Sequence, residues 1–130
     1  MLEKKPIQEA PELVASEVVD EAALLARVEG DTQLLREIVS LFMAECPKMI
    51  DQARKALMDR DAKALERASH ALKGTIGNFA AEHAYEAAQK LEMLARAGEW
   101  VGADVMFRDL EAQVERLKSV LTTLGTEVAP

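Results

Sequence analysis

The sequence predicts an all-α fold, an antiparallel up-and-down four-helix bundle with a short additional N-terminal helix. Three observations predict it. Hydrophobic residues are 49 % of the 130 positions but aromatics only 4 %, and Ala and Leu dominate over the Val, Ile, Tyr and Thr that strands favour. Apolar positions recur every three or four residues along four long stretches, and none alternates convincingly with period two. Gly and Asp fall between those stretches, where helices stop and start. A chain of this length holds one core.

Each element follows from its caps and its stripe. Residues 1–16 hold Pro6 and Pro11 among scattered charges. They are expected to form a flexible lead-in or linker before a domain over 17–125, with 126–130 as a C-terminal tail. Asp20 is placed to cap a short helix through Val28. Gly30 then offers a left-handed stop and Asp31 the next N-cap. From Thr32, the residues Leu35, Ile38, Phe42, Met49, Ala53 and Leu57 keep helical spacing, which predicts a long helix to about Arg60. Pro47 lies inside it, so a kink or break is expected around residues 44–47. Asp61 caps a helix to about Asn78, and another runs from near Glu82 to Gly98. The last runs from about 101 to 124, where Phe107, Leu110, Val114, Leu117, Leu121 and Leu124 alternate steps of three and four.

The net charge of −7 argues against nucleic-acid binding, which needs clustered Lys and Arg to displace counterions. It argues equally against an anionic membrane surface. No apolar run reaches transmembrane length, and residues 1–10 carry Lys4, Lys5 and Pro6 without an apolar signal-peptide stretch. The lone Cys46 excludes an intramolecular disulfide and fits a reducing compartment. With Met43, Met49 and Ile50 at helical spacing from it, it reads as a small buried hydrophobe. The expectation is a soluble, cytoplasmic, monomeric domain. Arg67 and Ala80 stand three residues before the two histidines, and no His-Glu-x-x-His occurs. Neither pattern of a metal-dependent bundle enzyme exists, so no metal is expected, and His83 reads as a surface residue.

Residues 61–78 depart from good helix design. At about 100° per residue, Leu65, Ala68, Leu72 and Ile76 share one stripe, which Phe79 continues. His70 lies roughly opposite, with Gly74 and Gly77 one and two turns on and Lys73 to one side. A glycine inside a helix costs about 1 kcal/mol relative to alanine. The stripe continues through both glycines, which argues against a break and leaves close approach by a partner beside His70. A neutral imidazole can take a phosphoryl group on one nitrogen and pass it on. Lys73 could set a positive charge near the phosphoryl oxygens. On geometry alone, a solvated surface histidine with tolerated glycines is the commoner source of such a face.

The next helix adds a second line. In Glu82–Ala97, Ala84, Ala87, Leu91 and Leu94 form the buried stripe. Tyr85, Gln89, Glu92 and Arg96 form a polar stripe at steps of four, three and four. If this helix packs antiparallel to the His70 helix, the polar stripe can edge the imidazole. A carboxylate on Nδ1–H would fix the tautomer and leave Nε2 free to react. Glu92 is the first choice for that role and Gln89 the second, although an ordinary solvated face has the same look.

His70-Ala71-Leu72-Lys73-Gly74, followed by Gly77-Asn78 and Leu91-Glu92, resembles the histidine-containing phosphotransfer (HPt) domains of two-component phosphorelays. The earlier Gly30-Asp31, Leu34-Leu35, Phe42, Pro47, Ala56-Leu57, Asp61 and Leu65 fit as well, and the resemblance covers about residues 18–122. It implies that His70 is the phospho-acceptor at Nε2. Lys73 would sit near the phosphoryl group, and Gly74 would leave room for the partner's active site. Glu92 would hydrogen-bond the histidine, and Arg96 would flank the phosphoryl group. With Gly77, Gly74 and Arg96 form the expected docking face, and Phe42, Met43 and Ile76 are candidates for apolar contacts near it, although each reads more readily as core. It further implies a phosphoryl carrier rather than a turnover enzyme, with no intrinsic cofactor. The partners would be response-regulator receiver domains, which supply Mg²⁺, and a sensor or hybrid histidine kinase. The rival is the same bundle as an interaction-only adaptor without phosphate chemistry.

Overall fold

The computed structural model describes residues 15–127, with side chains described from Glu17 to Leu124. Its elements are α1 (Ala15–Val18), α2 (Glu21–Arg27), α3 (Thr32–Met58), α4 (Ala62–Ile76), α5 (Glu82–Ala97) and α6 (Trp100–Glu127), with a 3₁₀ turn at Gly77–Phe79. No strand occurs among the described residues.

The caps lie where the aspartates and glycines stand. Asp20, Asp31 and Asp61 accept the backbone N–H of Ala23, Leu34 and Ala64 at 3.0, 2.9 and 3.0 Å. Each satisfies a donor that the first turn leaves open, at about 1 kcal/mol apiece relative to alanine. Gly98 closes α5 in the left-handed conformation with φ 70°, as expected of it. Arg60 and Ala80 take the same conformation without being glycine. Arg60 is held by Asp104, which accepts from both terminal guanidinium nitrogens at 3.1 Å.

Four expectations need correction. Two short helices precede the long ones, not one, and α1 begins inside the stretch taken as lead-in. Val18 and Val19 are buried, and Asp20 N–H donates to the Ala80 carbonyl at 3.0 Å, so this entry is tied to the far end of α4. The rest of the lead-in, residues 1–14, and the tail residues 128–130 lie outside the described residues. Second, of the kink or break expected near Pro47, the break does not occur, because α3 is continuous through it. Leu35, Val39, Phe42 and Cys46 before it and Ala53, Ala56 and Leu57 after it are all buried. Packing of both halves on one core outweighs a local penalty of about 3 kcal/mol. Third, α4 ends at Ile76 and gives way to a 3₁₀ turn, so Gly77 caps the helix instead of lying inside it. Fourth, α6 continues to Glu127, past the helix end expected near residue 124.

The four long helices pack in a ring, α3 on α4 and α6, and α5 on α4 and α6, while α1 rests on α5 and α6. The pairing of α4 with α5 is the most extensive. The core holds Leu35, Leu65, Leu72, Leu91, Leu110 and Leu117, and the Phe42 and Phe79 rings meet at 5.0 Å. Every member of the expected α6 stripe is buried. Each large apolar side chain withdrawn from water contributes about 1.5–3 kcal/mol. This burial fixes the rotation of α4 about its axis, and so the direction in which His70 points.

Candidate phosphoryl-carrier site

The phase of α4 decides the site. Leu65, Leu72 and Ile76 are fully buried, and His70 emerges on the opposite side with its side chain 69 % exposed. Ser69 turns inward beside it and donates to the Leu65 carbonyl at 2.7 Å. The phase of α5 brings Glu92 to the seam. Leu91 and Ala95 face the core, and the Glu92 side chain, 7 % exposed, fills the space between the helices.

Four side chains converge there. His70 Nδ1 lies 3.0 Å from Glu92 Oε2. Arg96 donates to the same oxygen from a terminal nitrogen at 3.3 Å. The Lys73 ammonium pairs with Oε1 at 2.9 Å. Arg96 Nε donates to Glu66 Oε2 at 2.8 Å, tying α5 back to α4 one turn before His70.

Electrostatics fix the protonation pattern. Burial pushes the Glu92 carboxyl up, but the Lys73 ammonium and then the His70 ring outweigh it and hold Glu92 below the usual carboxylate range. Glu92 is therefore ionised at neutral pH, and an ionised carboxylate only accepts. The proton between the two groups belongs to Nδ1. A neutral ring with Nδ1–H carries its lone pair on Nε2, at the edge away from Glu92. The result is an imidazole of fixed tautomer on an exposed face, with the Lys73 and Arg96 cations beside its carboxylate partner.

Other expected residues fall in different places. Gly74 is exposed, and a Cβ built on it would meet nothing within 4 Å. Gly77 has a use inside the fold, because its Cβ would meet the Tyr85 ring at 3.4 Å and its carbonyl accepts from Arg27. Gln89 is exposed one turn before Glu92, and the bond to His70 comes from Glu92. Phe42 and Ile76 are buried, whereas Met43 is half-buried. Both belong to the stripes that close the core. Leu41 is exposed and, with Met49, Ala71 and Thr75, lines a cleft of about 470 Å³ between α3 and α4. His83 is exposed at the start of α5. Cys46 is buried, and that burial pushes its thiol up to about 11, the Lys118 charge opposing and Glu115 adding to it. Glu66 was missed, although its position four residues before His70 places it on the same face.

Among the described residues, no group of three or more His, Cys, Asp or Glu is placed to hold a metal ion. No described helix is long and apolar enough to cross a membrane. A family model described as Hpt domain matches residues 37–120. The fold is similar to the crystal structure of histidine-containing phosphotransfer protein B (HptB) from Pseudomonas aeruginosa PAO1, with a TM-score of 0.80 at 20 % identity over 86 % of this chain and 97 % of that one. No curated protein matches significantly in sequence.

Proposed function

The chain belongs to the Hpt domain family, and from that premise we propose that it carries a phosphoryl group on His70 between two receiver-domain aspartates. The observation that carries this reading is the Nδ1 contact of 3.0 Å to a buried carboxylate on a ring that is otherwise largely in solvent. Nε2 attacks the phosphorus of an aspartyl phosphate, the P–O bond to the aspartate breaks, and the N–P bond forms. Transfer to the second aspartate reverses these events. Lys73 and Arg96 offset the negative charge brought in by the phosphoryl group.

The frame for this chemistry is an antiparallel up-and-down four-helix bundle, because connections of a few residues force successive helices to reverse. Gly74 leaves the helix surface bare for the partner's active site, and Leu41 and Met49 offer apolar contacts beside it. Mg²⁺ is held by the receiver domain, and a sensor or hybrid histidine kinase charges that receiver. The carrier itself is a cytoplasmic monomer without turnover of its own.

The test is a labelled phosphorylated receiver domain mixed with the protein. The expected result is acid-labile, alkali-stable label on the wild type and none on His70→Gln. Label retained by His70→Gln would overturn the acceptor assignment. A wild type that takes no label from any receiver domain of its host cell would leave the interaction-only adaptor.

A further inference from the structure

We propose that Lys63 and Arg67 form a cationic ridge that docks the carboxylate-lined mouth of a receiver domain and captures its phosphorylated form in preference to its unphosphorylated form. This rests on the phosphotransfer reading above.

The ridge follows from helical phase. Lys63, Arg67, His70 and Gly74 succeed one another at steps of four, three and four, so they form one line along α4. All four are exposed, on the side away from the buried Leu65, Leu72 and Ile76. The line runs from two cations through the imidazole to the glycine that leaves the backbone bare.

The charges beside this line are already matched. At the seam with α5, Glu92 meets His70, Lys73 and Arg96, and Arg96 Nε donates to Glu66 at 2.8 Å. Across the groove toward α3, Lys55 pairs with Asp59 at 3.0 Å, and Asp61 accepts from Ala64 N–H as the cap of α4. Lys63 and Arg67 have no ion pair or hydrogen bond among the described residues. Like charges one turn apart weaken a helix, so their place here has a cost to the free protein that a bound anion removes. On a chain of net charge −7, the ridge is a local reversal of sign on the line of the reactive histidine.

The partner's chemistry supplies the complement. A receiver that holds Mg²⁺ beside its aspartate does so through oxygen ligands, carboxylates foremost, so its mouth has an anionic rim. A phosphoryl group on that aspartate adds further negative charge. In the charging encounter the ridge faces rim and phosphoryl group together. After transfer the phosphoryl group sits on Nε2 and offsets the ridge, while the receiver has lost that charge. Attraction is therefore strong when His70 is charged and weak when it is discharged. Salt weakens a steered encounter and leaves an unsteered one nearly unchanged.

The experiment follows transfer by rapid quench between His70 and a receiver domain of its host cell, in both directions. It compares the wild type with the double variant Lys63→Gln, Arg67→Gln. Between about 50 mM and about 0.5 M KCl, wild-type kcat/KM should fall about tenfold for charging and about twofold or less for discharging. In dilute salt the variant should charge about fivefold or more slowly than the wild type, with the shallow salt dependence in both directions. Labelling by phosphoramidate, which needs no docking surface, should be equal in the two proteins. Parallel salt slopes in wild type and variant, or in charging and discharging, would overturn the proposal. So would an equal loss with phosphoramidate, which would place the two cations in the chemistry and not in docking. Should the variant not fold, the two wild-type slopes decide alone. A wild type that no receiver domain labels would sink the phosphotransfer reading itself, and this proposal with it.

Discussion

The two sides of the bundle use charge in opposite ways. On the α6 side, Arg54 pairs with Glu111 and Arg60 pairs with Asp104. Each guanidinium also lies over an aromatic ring, Arg54 on Phe107 at 5.6 Å and Arg60 on Trp100 at 5.3 Å. These groups are at the surface, and their planes and forks are satisfied where they lie. Such pairs set the register of neighbouring elements and add little to stability. On the α4 side, one buried carboxylate serves His70, Lys73 and Arg96 at once. Burying such a group is costly unless its partners stay in place. The α6 side is complete as it stands, whereas the α4 side gathers its cations and carboxylate beside an exposed imidazole.

Glycine separates the two sides in the same way, and substitution there should give the largest effects. A Cβ on Gly74 would meet nothing within 4 Å, whereas one on Gly102 would lie 3.1 Å from Leu94 Cδ2. Gly74→Leu should slow transfer from a phosphorylated receiver to His70 by about tenfold or more, because the reacting atoms are held apart. Its melting temperature should hold or rise, since leucine exceeds glycine in helix propensity by about 0.8 kcal/mol. Rapid-quench labelling and a circular dichroism melt measure the two quantities. Unchanged transfer would mean that the bare face is not where a partner docks.

Gly102→Leu should do the reverse. The added side chain is forced into the contact between α6 and α5 at a cost of about 1–3 kcal/mol. Urea denaturation should show that loss, while transfer per folded molecule stays at the wild-type rate. Equal slowing of transfer by both substitutions would erase the distinction between a glycine kept for packing and one kept for access.

These contrasts also mark what the sequence could and could not tell. Burial is periodic, so the α6 stripe and the outward phase of His70 were legible from spacing alone. Caps are local, so Asp20, Asp31, Asp61 and Gly98 were legible too. Glu92 was reachable because its stripe and the antiparallel pairing needed only one assumption about neighbours. Facts that depend on which face meets which were not legible. Gly77 looks like a second bare glycine until the Tyr85 ring is found against it. Phe42 and Ile76 were weighed as docking contacts against core, and their burial decides for core. Pro47 signals a break locally, and only the burial on both sides of it shows why α3 continues. Glu66 became visible as a site residue only through Arg96, which reaches it from another helix.

Acid titration gives the smallest effect and the sharpest form of the comparison. Asp104 and Glu92 both have carboxyls below their ordinary range. At Asp104 the hydrogen bonds from Arg60 are the main cause, whereas at Glu92 burial opposes the shift and Lys73 and His70 overcome it. A carboxyl with a lower pKa in the folded state contributes stability above its unfolded value and loses it as pH falls through the folded one. The contribution should therefore fade below pH 4.5 for Glu92 and below pH 3.8 for Asp104. Salt tells them apart, because exposed pairs are screened and buried ones much less so. Urea midpoints from about pH 6 to pH 3, in dilute buffer and at about 1 M KCl, measure this. Asp104→Asn should flatten the acid loss in dilute buffer and change little in salt, where the pair is already weakened. Glu92→Gln should flatten it in both. A Glu92 contribution that disappears in salt would mean that water reaches the carboxylate, and the two sides would then differ in layout but not in kind.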